Sequence, residues 1–464
     1  MSEKNVENYA VGIIGGGPGG YVAAIRAAQS GLKTVLFEKD ELGGTCLNRG
    51  CIPTKTLLQS IKAKQELKKL ARWGITGVDL NAVKLDWSKM QSNKMRTQRR
   101  LTLGVANLLK TWGVKVVRGK AVLEEDPHLV QVAAEKYRVE NLIIATGSKP
   151  RTLKIPGLET AEVLKSDQAL TLKEVPASLV ILGGGVIGIE FAFIFRALGV
   201  EVTIIEREKN LLPRLDTELV EELTRDLRGQ GITLYTNTET LRVEKETLLI
   251  KNKGEIKELQ AEKILVAAGR TPSYPGLNVE KLGLELTKGG IKTDAFLRTN
   301  LPRVYALGDV NGKWLLAHKA IAEGLFVIDH LLGKSEPMNY AVIPQCIYSL
   351  PEIASVGLTE NEAREKYGVL KIAHYPFAAN GRAQIMEERK GFIKVIADQT
   401  AEKILGVHIW GPQATELISQ VIVALNLKAT PNDLANYIYP HPTISEAMGE
   451  AYQAIEQKAI HLPK

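Results

Sequence analysis

Two stretches of the chain repeat one pattern: an apolar strand, a glycine-rich turn, a helix with an apolar face and a second apolar strand. In the first stretch VGIIGGGPGG leads into AAIRAAQSG and then into KTVLFE, which ends at Glu38. In the second, LVILGGGVIGIE leads into FAFIFRALG and then into EVTIIE, which ends at Glu206. Each acid lies 23 residues beyond the first glycine of its turn, Gly15 or Gly183 (38 minus 15 and 206 minus 183). Strands that alternate with helices in this way predict an α/β fold with two similar modules.

The repeat extends beyond the turns. Both stretches close on a similar strand and turn, NLIIATGSKP from Asn141 and KILVAAGRTP from Lys263. The first carries a long insertion with helical patterns around residues 54–72 and 87–112, whereas the second closes sooner. We therefore expect the first module to be the elaborated one.

Two later segments follow a different pattern. VYALGDV ends a short apolar strand at Gly308 and Asp309, from which a carboxylate and backbone N–H groups can meet a cofactor. From about Pro344 onward, strands such as GFIKVIA and ILGVHIWG alternate with amphipathic helices, without a glycine-rich turn. This pattern predicts a separate C-terminal α+β domain.

The glycines of both turns have the G-x-G-x-x-G spacing of a dinucleotide-binding loop. In such a loop the first glycine turns tightly, the second lets the backbone approach a pyrophosphate, and the third lets the helix pack on the strand. The acid at the end of the second strand accepts a hydrogen bond from the ribose. A 2′-phosphate beside Glu206 would be repelled by about 4 kcal/mol per charge pair, which favours NAD over NADP even with Arg207 adjacent. The glycines are Gly15, Gly17 and Gly20 in the first module and Gly183, Gly185 and Gly188 in the second.

Cys46 and Cys51 lie in the segment GGTCLNRGCIPTK. Pro53 follows where the first turn of a helix tolerates a missing N–H, so we expect Cys51 to enter a helix. The positive end of that helix would lower the thiol pKa below the usual value of roughly 8.5. A pair that cycles between dithiol and disulfide is favoured over a structural bridge, because cytosolic disulfides are usually transient and catalytic.

Composition and charge limit the classes of partner that the protein is expected to have. A chain of 464 residues predicts three or four domains, and 60 Lys and Arg against 52 Asp and Glu give a net charge of +8. Basic residues concentrate between Lys62 and Arg100 without the aromatic residues of a nucleic-acid platform, so we expect a solvated basic face and no nucleic-acid partner. Without a signal peptide or a run of ~18 apolar residues, we expect a cytoplasmic protein with no membrane contact. No metal site is expected.

The segment HPTISEA allows two interpretations of His441 and Glu446. Thr443 and Glu446 fit the S/T-x-x-E capping box of a helix start. An imidazole that titrates near neutral pH also suits proton exchange with a dithiol, and a nearby carboxylate can hold it in one tautomer. The two interpretations are compatible. Cys346 has no cysteine at a pairing distance in sequence and is expected to be a small buried apolar residue.

Taken together, GGTCLNRGCIPTK, GGGVIGIE, ALGDV, LAHKA and HPTISEA closely resemble the flavoprotein disulfide reductases, and among them the enzymes that oxidise dihydrolipoamide. The resemblance covers nearly the whole chain and implies FAD in the first module, NAD in the second and a homodimer. The implied domains are an FAD-binding domain at 1–148, an NAD-binding domain at 149–275, a central domain that completes the FAD site at 276–343 and a C-terminal dimerisation domain at 344–464.

The resemblance also implies roles for individual residues. Cys46 is the implied interchange thiol that meets the substrate, and Cys51 is the implied thiol that contacts the flavin. The other implied catalytic residues are an ion pair beside the flavin, Lys55 with Glu190, and a dyad from the opposite subunit, His441 with Glu446. Further residues expected at the cofactor sites are Gly147, Gly269, Asp309, Ala317 and His318, the last in a positional role.

The implied reaction oxidises protein-bound dihydrolipoamide to lipoamide, and electrons pass through the Cys46–Cys51 disulfide and FAD to NAD⁺. The implied partner is a lipoyl-bearing acyltransferase of a 2-oxoacid dehydrogenase complex, or a lipoyl carrier protein. One alternative is another NAD-linked disulfide reductase with a different substrate. Another is a non-catalytic flavoprotein docking subunit, against which the intact thiols, Lys55, Glu190 and His441 argue.

Three features of the sequence bear on the choice within this resemblance. Val186 stands where glutathione reductases commonly carry a tyrosine, and no cysteine follows Cys346, whereas mercuric reductases end in a second cysteine pair. Tyr439 and Pro440 precede His441 where dihydrolipoamide-oxidising members often carry His-Ala. This difference bears on rate and pH profile and leaves the chemical class unchanged.

Overall fold

The computed structural model describes residues 6–334 and 336–463. The first glycine-rich turn follows a fully paired inner strand, and the long insertion forms two helices joined through a short 3-10 turn at Leu70–Trp73. The elements in this part are β1 (Glu7–Ile14), α1 (Pro18–Gln29), β2 (Thr34–Glu38), α2 (Gly44–Arg49), α3 (Cys51–Leu67), α4 (Trp87–Thr111), β3 (Lys115–Arg118), β4 (Ala121–Val122), β5 (Leu129–Val132), β6 (Glu135–Ile144) and β7 (Ser148–Pro150).

The second module repeats the strand, turn and helix of the first and adds a three-stranded antiparallel sheet. Its elements are β8 (Val163–Leu164), α5 (Ser166–Ala169), β9 (Ser178–Leu182), α6 (Val186–Ala197), β10 (Glu201–Ile205), α7 (Thr217–Gly229), β11 (Thr233–Tyr235), β12 (Thr238–Glu244), β13 (Thr247–Asn252), β14 (Glu255–Gln260), β15 (Lys263–Val266) and β16 (Arg270–Pro272).

The remaining segments supply one strand and one helix to the first module and then a separate antiparallel sheet. The elements are β17 (Leu286–Thr287), β18 (Gly290–Ile291), β19 (Val304–Ala306), a 3-10 turn (Gly308–Asn311), α8 (Ala317–Leu331), β20 (Gln345–Ile347), β21 (Glu352–Gly357), α9 (Glu360–Tyr367), β22 (Leu370–Pro376), a 3-10 turn (Phe377–Ala379), α10 (Gly381–Ile385), β23 (Phe392–Asp398), β24 (Ile404–Gly411), α11 (Ala414–Asn426), α12 (Pro431–Ala435) and α13 (Glu446–Ala454).

The sheet orders confirm the predicted α/β architecture with an α+β C-terminal domain. The first sheet runs β3-β2-β1-β6-β5-β4, and β19 pairs in parallel with the end of β6. The second runs β11-β10-β9-β15-β8, all parallel, and the C-terminal sheet runs β20-β21-β24-β23-β22, all antiparallel. The inner parallel strands read as continuous apolar runs because helices and loops cover both of their faces. The domain boundaries given above stay a prediction.

The two modules are joined where their closing turns cross. β7 and β16, which continue from the ATGSKP and AAGRTP turns, pair antiparallel with Arg270 opposite Pro150. This pairing brings the segments that follow β6 and β15 together at one junction. Within the described part of the chain, no helix is both long and apolar enough to cross a bilayer.

Candidate active site

Cys46 and Cys51 lie at a break between two helices. Cys46 is on α2, and Cys51 is the first residue of α3, as the sequence predicted. Asn48 fixes the turn, because its Nδ2 donates to the carbonyl oxygens of Leu42 at 2.9 Å and Gly44 at 3.0 Å. Both cysteines are free thiols, and both side chains are partly buried.

The two sulfurs interact as donor and acceptor. The Cys46 thiol donates a hydrogen bond that lowers the pKa of Cys51 to about 7, and the Lys55 ammonium supports this shift against burial. The same bond, together with burial, raises the pKa of Cys46. As the pH rises through about 7, Cys51 therefore loses its proton, while Cys46 keeps the proton of the hydrogen bond. The sequence predicted this lowered pKa from the helix terminus, and the structure identifies the neighbouring thiol as the larger cause.

Lys55 and Glu190 form the predicted ion pair. The Lys55 Nζ donates to both carboxylate oxygens of Glu190, at 2.7 and 2.8 Å, and the Glu190 side chain is only 4% exposed. The backbone N–H of Tyr348 also donates to Glu190 at 3.3 Å, and Lys55 Nζ lies 4.8 Å from the Tyr348 ring centre. Nearby, burial raises the pKa of Cys346 to about 11, so this third thiol stays protonated at neutral pH. One ion pair thus joins α3, α6 and the segment after β20.

The space around the glycines of the two turns shows whether a dinucleotide could bind there. A Cβ on Gly20 would lie 1.8 Å from the Gly15 carbonyl oxygen, so the protein itself requires glycine there, and Gly188 repeats this contact. A Cβ on Gly17 would meet only a Cα at 4.0 Å, and one on Gly185 would meet nothing within 4 Å. Packing within the chain does not explain these middle glycines. A ligand that approaches the backbone does, and α1 and α6 begin there without a side-chain cap or an acidic residue in the first turn.

The strand-end acids hold the two turns in matching ways. Glu38 accepts hydrogen bonds from the N–H groups of Gly16 at 2.6 Å and Asp40 at 2.7 Å. Glu206 accepts from Gly184 at 2.7 Å and Glu208 at 2.8 Å. Each turn is therefore shaped by the carboxylate that the sequence assigned to the ribose. Arg207 is exposed and pairs with Glu208 at 3.2 Å.

Sequence reasoning missed a link between the modules at Arg270. Its Nε donates to Ser148 Oγ at 2.7 Å and its Nη2 to the Ser148 carbonyl at 2.8 Å, and Nη2 reaches Thr45 Oγ1 at 3.5 Å. Ser148 in turn donates to Asp309. Gly147 and Gly269, which precede these residues, both have positive φ (71° and 91°), so they make the turns that bring the two strands together. The repeated G-x-x-P after each closing strand is the signal that could have indicated this junction.

A second missed group is the buried network under the Gly308–Asn311 turn. The Lys319 ammonium, fully buried, donates to the Gly308 carbonyl at 3.0 Å and to Glu323 at 3.0 Å. Glu323 accepts from the Gly308 N–H at 2.6 Å and from the Tyr340 hydroxyl at 2.5 Å. The network fixes the turn that carries Asp309. A lysine and a glutamate four residues apart in an otherwise apolar helix were the available signal.

The residues expected at the start of α8 lie where the sequence placed them. Ala317 is the first residue of α8 and His318 the second. The His318 Nε2 is 2.9 Å from the Pro344 carbonyl oxygen, and burial lowers the pKa of His318. Thr146, one residue before Gly147, has a buried hydroxyl without a hydrogen-bond partner among the described residues. These groups fit a cofactor that meets α8 and the ATGSKP turn.

His441 and Glu446 pair as predicted. The His441 Nδ1 lies 2.7 Å from one Glu446 oxygen, and the Thr443 N–H donates to the other at 2.9 Å. Only this half of the predicted capping box forms, because α13 begins at Glu446 with Ser445 and not Thr443 as its N-cap, and the Thr443 hydroxyl donates to the Pro440 carbonyl. Glu446 is therefore held from one side by the backbone and orients the imidazole from the other. The His441 side chain is 79% exposed, which leaves Nε2 free to meet another molecule.

The sequence grouped His441 with the thiols, and a single chain does not bring them together. Within residues 6–334 and 336–463, His441 contacts neither Cys46 nor Cys51. The implied origin of this dyad, the opposite subunit of a dimer, is consistent with its exposure.

The chain was compared with known families and proteins. Residues 9–324 match the family described as pyridine nucleotide-disulphide oxidoreductase, and residues 343–452 match the dimerisation domain of that family. The chain is 40% identical over 474 residues to a dihydrolipoyl dehydrogenase of Bacillus subtilis, which covers 98% of this chain and 99% of the relative. It is 41% identical over 467 residues to one from Thermus scotoductus (98% and 99%) and 39% identical over 462 residues to the mitochondrial one of Pisum sativum (97% and 92%).

Among solved structures, the chain is similar to the HOCl-induced flavoprotein disulfide reductase RclA from Escherichia coli. The TM-score is 0.86 at 28% identity, with 96% of this chain and 99% of the other covered. The Cu(II) complex of the same protein gives a TM-score of 0.85. Fold and sequence therefore agree on one group of enzymes.

Proposed function

The chain belongs to the pyridine nucleotide-disulphide oxidoreductase family, and within it we propose that this protein is a dihydrolipoyl dehydrogenase. It is an NAD-linked flavoprotein oxidoreductase that uses FAD and NAD. The observation that carries the narrower proposal is the Cys46–Cys51 pair with its unequal pKa values, in a chain that aligns with dihydrolipoyl dehydrogenases along almost its whole length.

The position of Lys55 beside Cys51 assigns the two thiols in the exchange step. In the oxidised pair, a substrate thiolate attacks Cys46 Sγ, the Cys46–Cys51 bond breaks, and Cys51 leaves as a thiolate. Cys46 has no thiol proton in this step, so Lys55 is the side chain that lowers the pKa of the leaving Cys51 thiol, and attack at Cys46 is the favoured direction. The second substrate thiolate then attacks the mixed disulfide, which closes the product disulfide and releases Cys46. Two electrons pass from the substrate to the pair.

The other residues bind, orient and move protons. His441 Nε2 takes the proton from the substrate thiol, and Glu446 stabilises the imidazolium through Nδ1. Lys55 keeps a positive charge beside the Cys51 thiolate, while Glu190 fixes the ammonium in place. The chemistry that bound FAD and NAD⁺ supply is to accept this electron pair and remove it as hydride.

The two cofactors would be held at the two glycine-rich turns and at the residues around them. FAD would lie at Gly15, Gly17 and Gly20 with Glu38, and Asp309, Ala317 and His318 would complete its site. NAD would lie at Gly183, Gly185 and Gly188 with Glu206, whose carboxylate repels a 2′-phosphate.

The dimerisation domain at 343–452 supports a homodimer. The proposed partner is a lipoyl-bearing acyltransferase or lipoyl carrier protein, since the dithiol of the proposed substrate is attached to protein.

The test is NADH formation from free dihydrolipoamide and NAD⁺ by the FAD-loaded protein, with NADP⁺ in parallel. We expect turnover with NAD⁺ and little with NADP⁺, and loss of turnover with FAD retained in Cys46→Ser. Turnover of a different disulfide with none of dihydrolipoamide would overturn the substrate and keep the redox pair. Absence of turnover with every thiol tested would favour the alternative of a non-catalytic flavoprotein docking subunit.

A further inference from the structure

The outer side of α4 carries an unusual concentration of positive charge. Its 25 residues contain no aspartate or glutamate. Steps of three, four, seven or eleven residues return to one side of a helix, and such steps connect the exposed members of what we call the basic face. These are Lys89, Arg96, Arg99, Arg100 and Lys110.

Most of these charges have no anionic partner in the chain. Lys89 pairs with Asp86 at 3.6 Å, and Arg96 hydrogen-bonds Asn93 at 3.0 Å. Within the described residues Arg99, Arg100 and Lys110 form no ion pair. The basic face is therefore a positive field that the chain does not neutralise.

The inner side of the same helix holds the redox turn. Gln98 donates to the Asn48 carbonyl, and Thr102 Oγ1 donates to Asn48 Oδ1 at 3.2 Å. Asn48 lies between the two cysteines and shapes their turn. A partner seated on the outer side of α4 is thus one helix away from Cys46.

Exposed apolar residues adjoin the positive charge. Leu103 lies within the basic face, and Leu101, Leu108 and Trp112 follow one another along the flank at helical spacing. Arginine beside exposed leucine and tryptophan is the composition of a protein interface, where aromatic residues and arginine supply most of the binding energy.

We propose that the basic face of α4 docks the acidic surface of the protein domain that carries the dithiol substrate. This inference rests on the proposed function, which supplies a substrate attached to protein. Opposite charges would steer the carrier to the side of the molecule that bears the redox turn, and would act mainly on the association rate. A small free dithiol needs no such docking.

The test compares two substrates in one variant. Arg96→Glu, Arg99→Glu and Arg100→Glu are combined, and NADH formation is measured with free dihydrolipoamide and with a reduced, acidic lipoyl domain. We expect kcat/KM for the lipoyl domain to fall about tenfold or more at low salt, while kcat/KM for free dihydrolipoamide stays at the wild-type value. In the wild type only the lipoyl-domain reaction should slow as salt is raised.

A matched control removes the same charge elsewhere. Lys245→Glu, Lys251→Glu and Lys253→Glu, all exposed on the β12-β13-β14 sheet, change the net charge equally and should leave both rates unchanged. An unaltered lipoyl-domain rate in the α4 variant would overturn the proposal. A shift of that variant from dimer to monomer in sedimentation would also overturn the proposal, because the face would then be a contact between two copies of the chain. A variant that lost only the binding of an oligonucleotide would overturn it as well. Failure of the wild type on free dihydrolipoamide would overturn the proposed function instead.

Discussion

At the scale of single residues, the site works through unequal sharing of one proton between two thiols. Cys46 keeps its proton and donates a hydrogen bond to Cys51, whose negative charge is further stabilised by Lys55. The Lys55 charge also favours departure of Cys51 when Cys46 of the disulfide is attacked. The sequence predicted the pair and the helix start at Cys51, since both are local. It could not rank the causes of the pKa shift, because the main one is a contact across the helix break.

The ranking of those causes predicts the effect of Cys46→Ala in the reduced protein. Loss of the donating thiol should raise the pKa of Cys51 from about 7 toward roughly 8.5. The thiolate, which forms in the wild type as pH rises through about 7, should then form only at higher pH. Thiolate absorbance followed against pH measures this, with Cys346→Ala as the control that leaves the transition in place. A transition still near the wild-type pH would assign the shift to Lys55.

At the scale of elements, α8 stabilises a turn through a charged pair inside its apolar face. Lys319 and Glu323 are fully buried and together bind both the N–H and the carbonyl of Gly308. Burial lowers the pKa of Lys319, and the Glu323 carboxylate opposes this effect. The charge is retained only because each group has its partner.

This mutual dependence predicts that either single change is worse than both together. Lys319→Met should leave Glu323 as an unpaired buried charge and lower the free energy of unfolding by about 3–5 kcal/mol. Lys319→Met with Glu323→Gln should recover part of that loss. Denaturant unfolding and FAD retention on a desalting column measure the two effects. Additive losses in the double variant would show that the two residues act separately.

The sequence indicated the elements better than the contacts between them. The glycine-rich turns, the helices around residues 54–72 and 87–112 and the strand before Asp309 all follow from local patterns. Arg270 was missed because its partner, Ser148, lies 122 residues away in the sequence. Lys319 was missed because its partners lie behind the apolar face of a helix. The capping box at Thr443 was half right, since the Thr443 N–H donates to Glu446 but the helix begins later, with Ser445 as its N-cap.

At the scale of the whole molecule, Lys394 on β23 joins the C-terminal sheet to the second module. Its ammonium, 2% exposed, lies 2.9 Å from Asp216, 3.1 Å from Glu218 and 2.7 Å from Glu360. Burial opposes the charge, yet the hydrogen bonds that Lys394 donates to Glu360 and Asp216 hold its pKa above the usual value. Burial likewise opposes ionisation of Asp216, but the neighbouring His408 and Lys394 hold its pKa below the usual range.

These directions of the pKa shifts give the pH range over which the Lys394 ion pairs stabilise the fold. A raised Lys394 pKa adds stability below the unfolded value of roughly 10.4, and a lowered Asp216 pKa adds stability above roughly 3.9. The contribution is therefore complete between these limits and is lost as pH falls below the lower one. Lys394→Met should lower stability at pH 7 by about 3–5 kcal/mol and weaken the acid dependence. Urea unfolding at pH 7 and at about pH 2.5, well below the usual carboxyl pKa, tests this, with the exposed Lys403→Met as control; equal losses at both pH values would contradict it.

The position of β19 decides when the first module can be finished during synthesis. Val304–Ala306 pair with Leu142–Ile144, so the last strand of the first sheet is made after the whole second module. Until then the end of β6 has one unpaired edge, which is the kind of surface on which nascent chains pair wrongly. The ribosome therefore delivers both glycine-rich turns well before either Asp309 or the strand that leads to it. The flavin module, first in the order of the chain, is among the last parts to close.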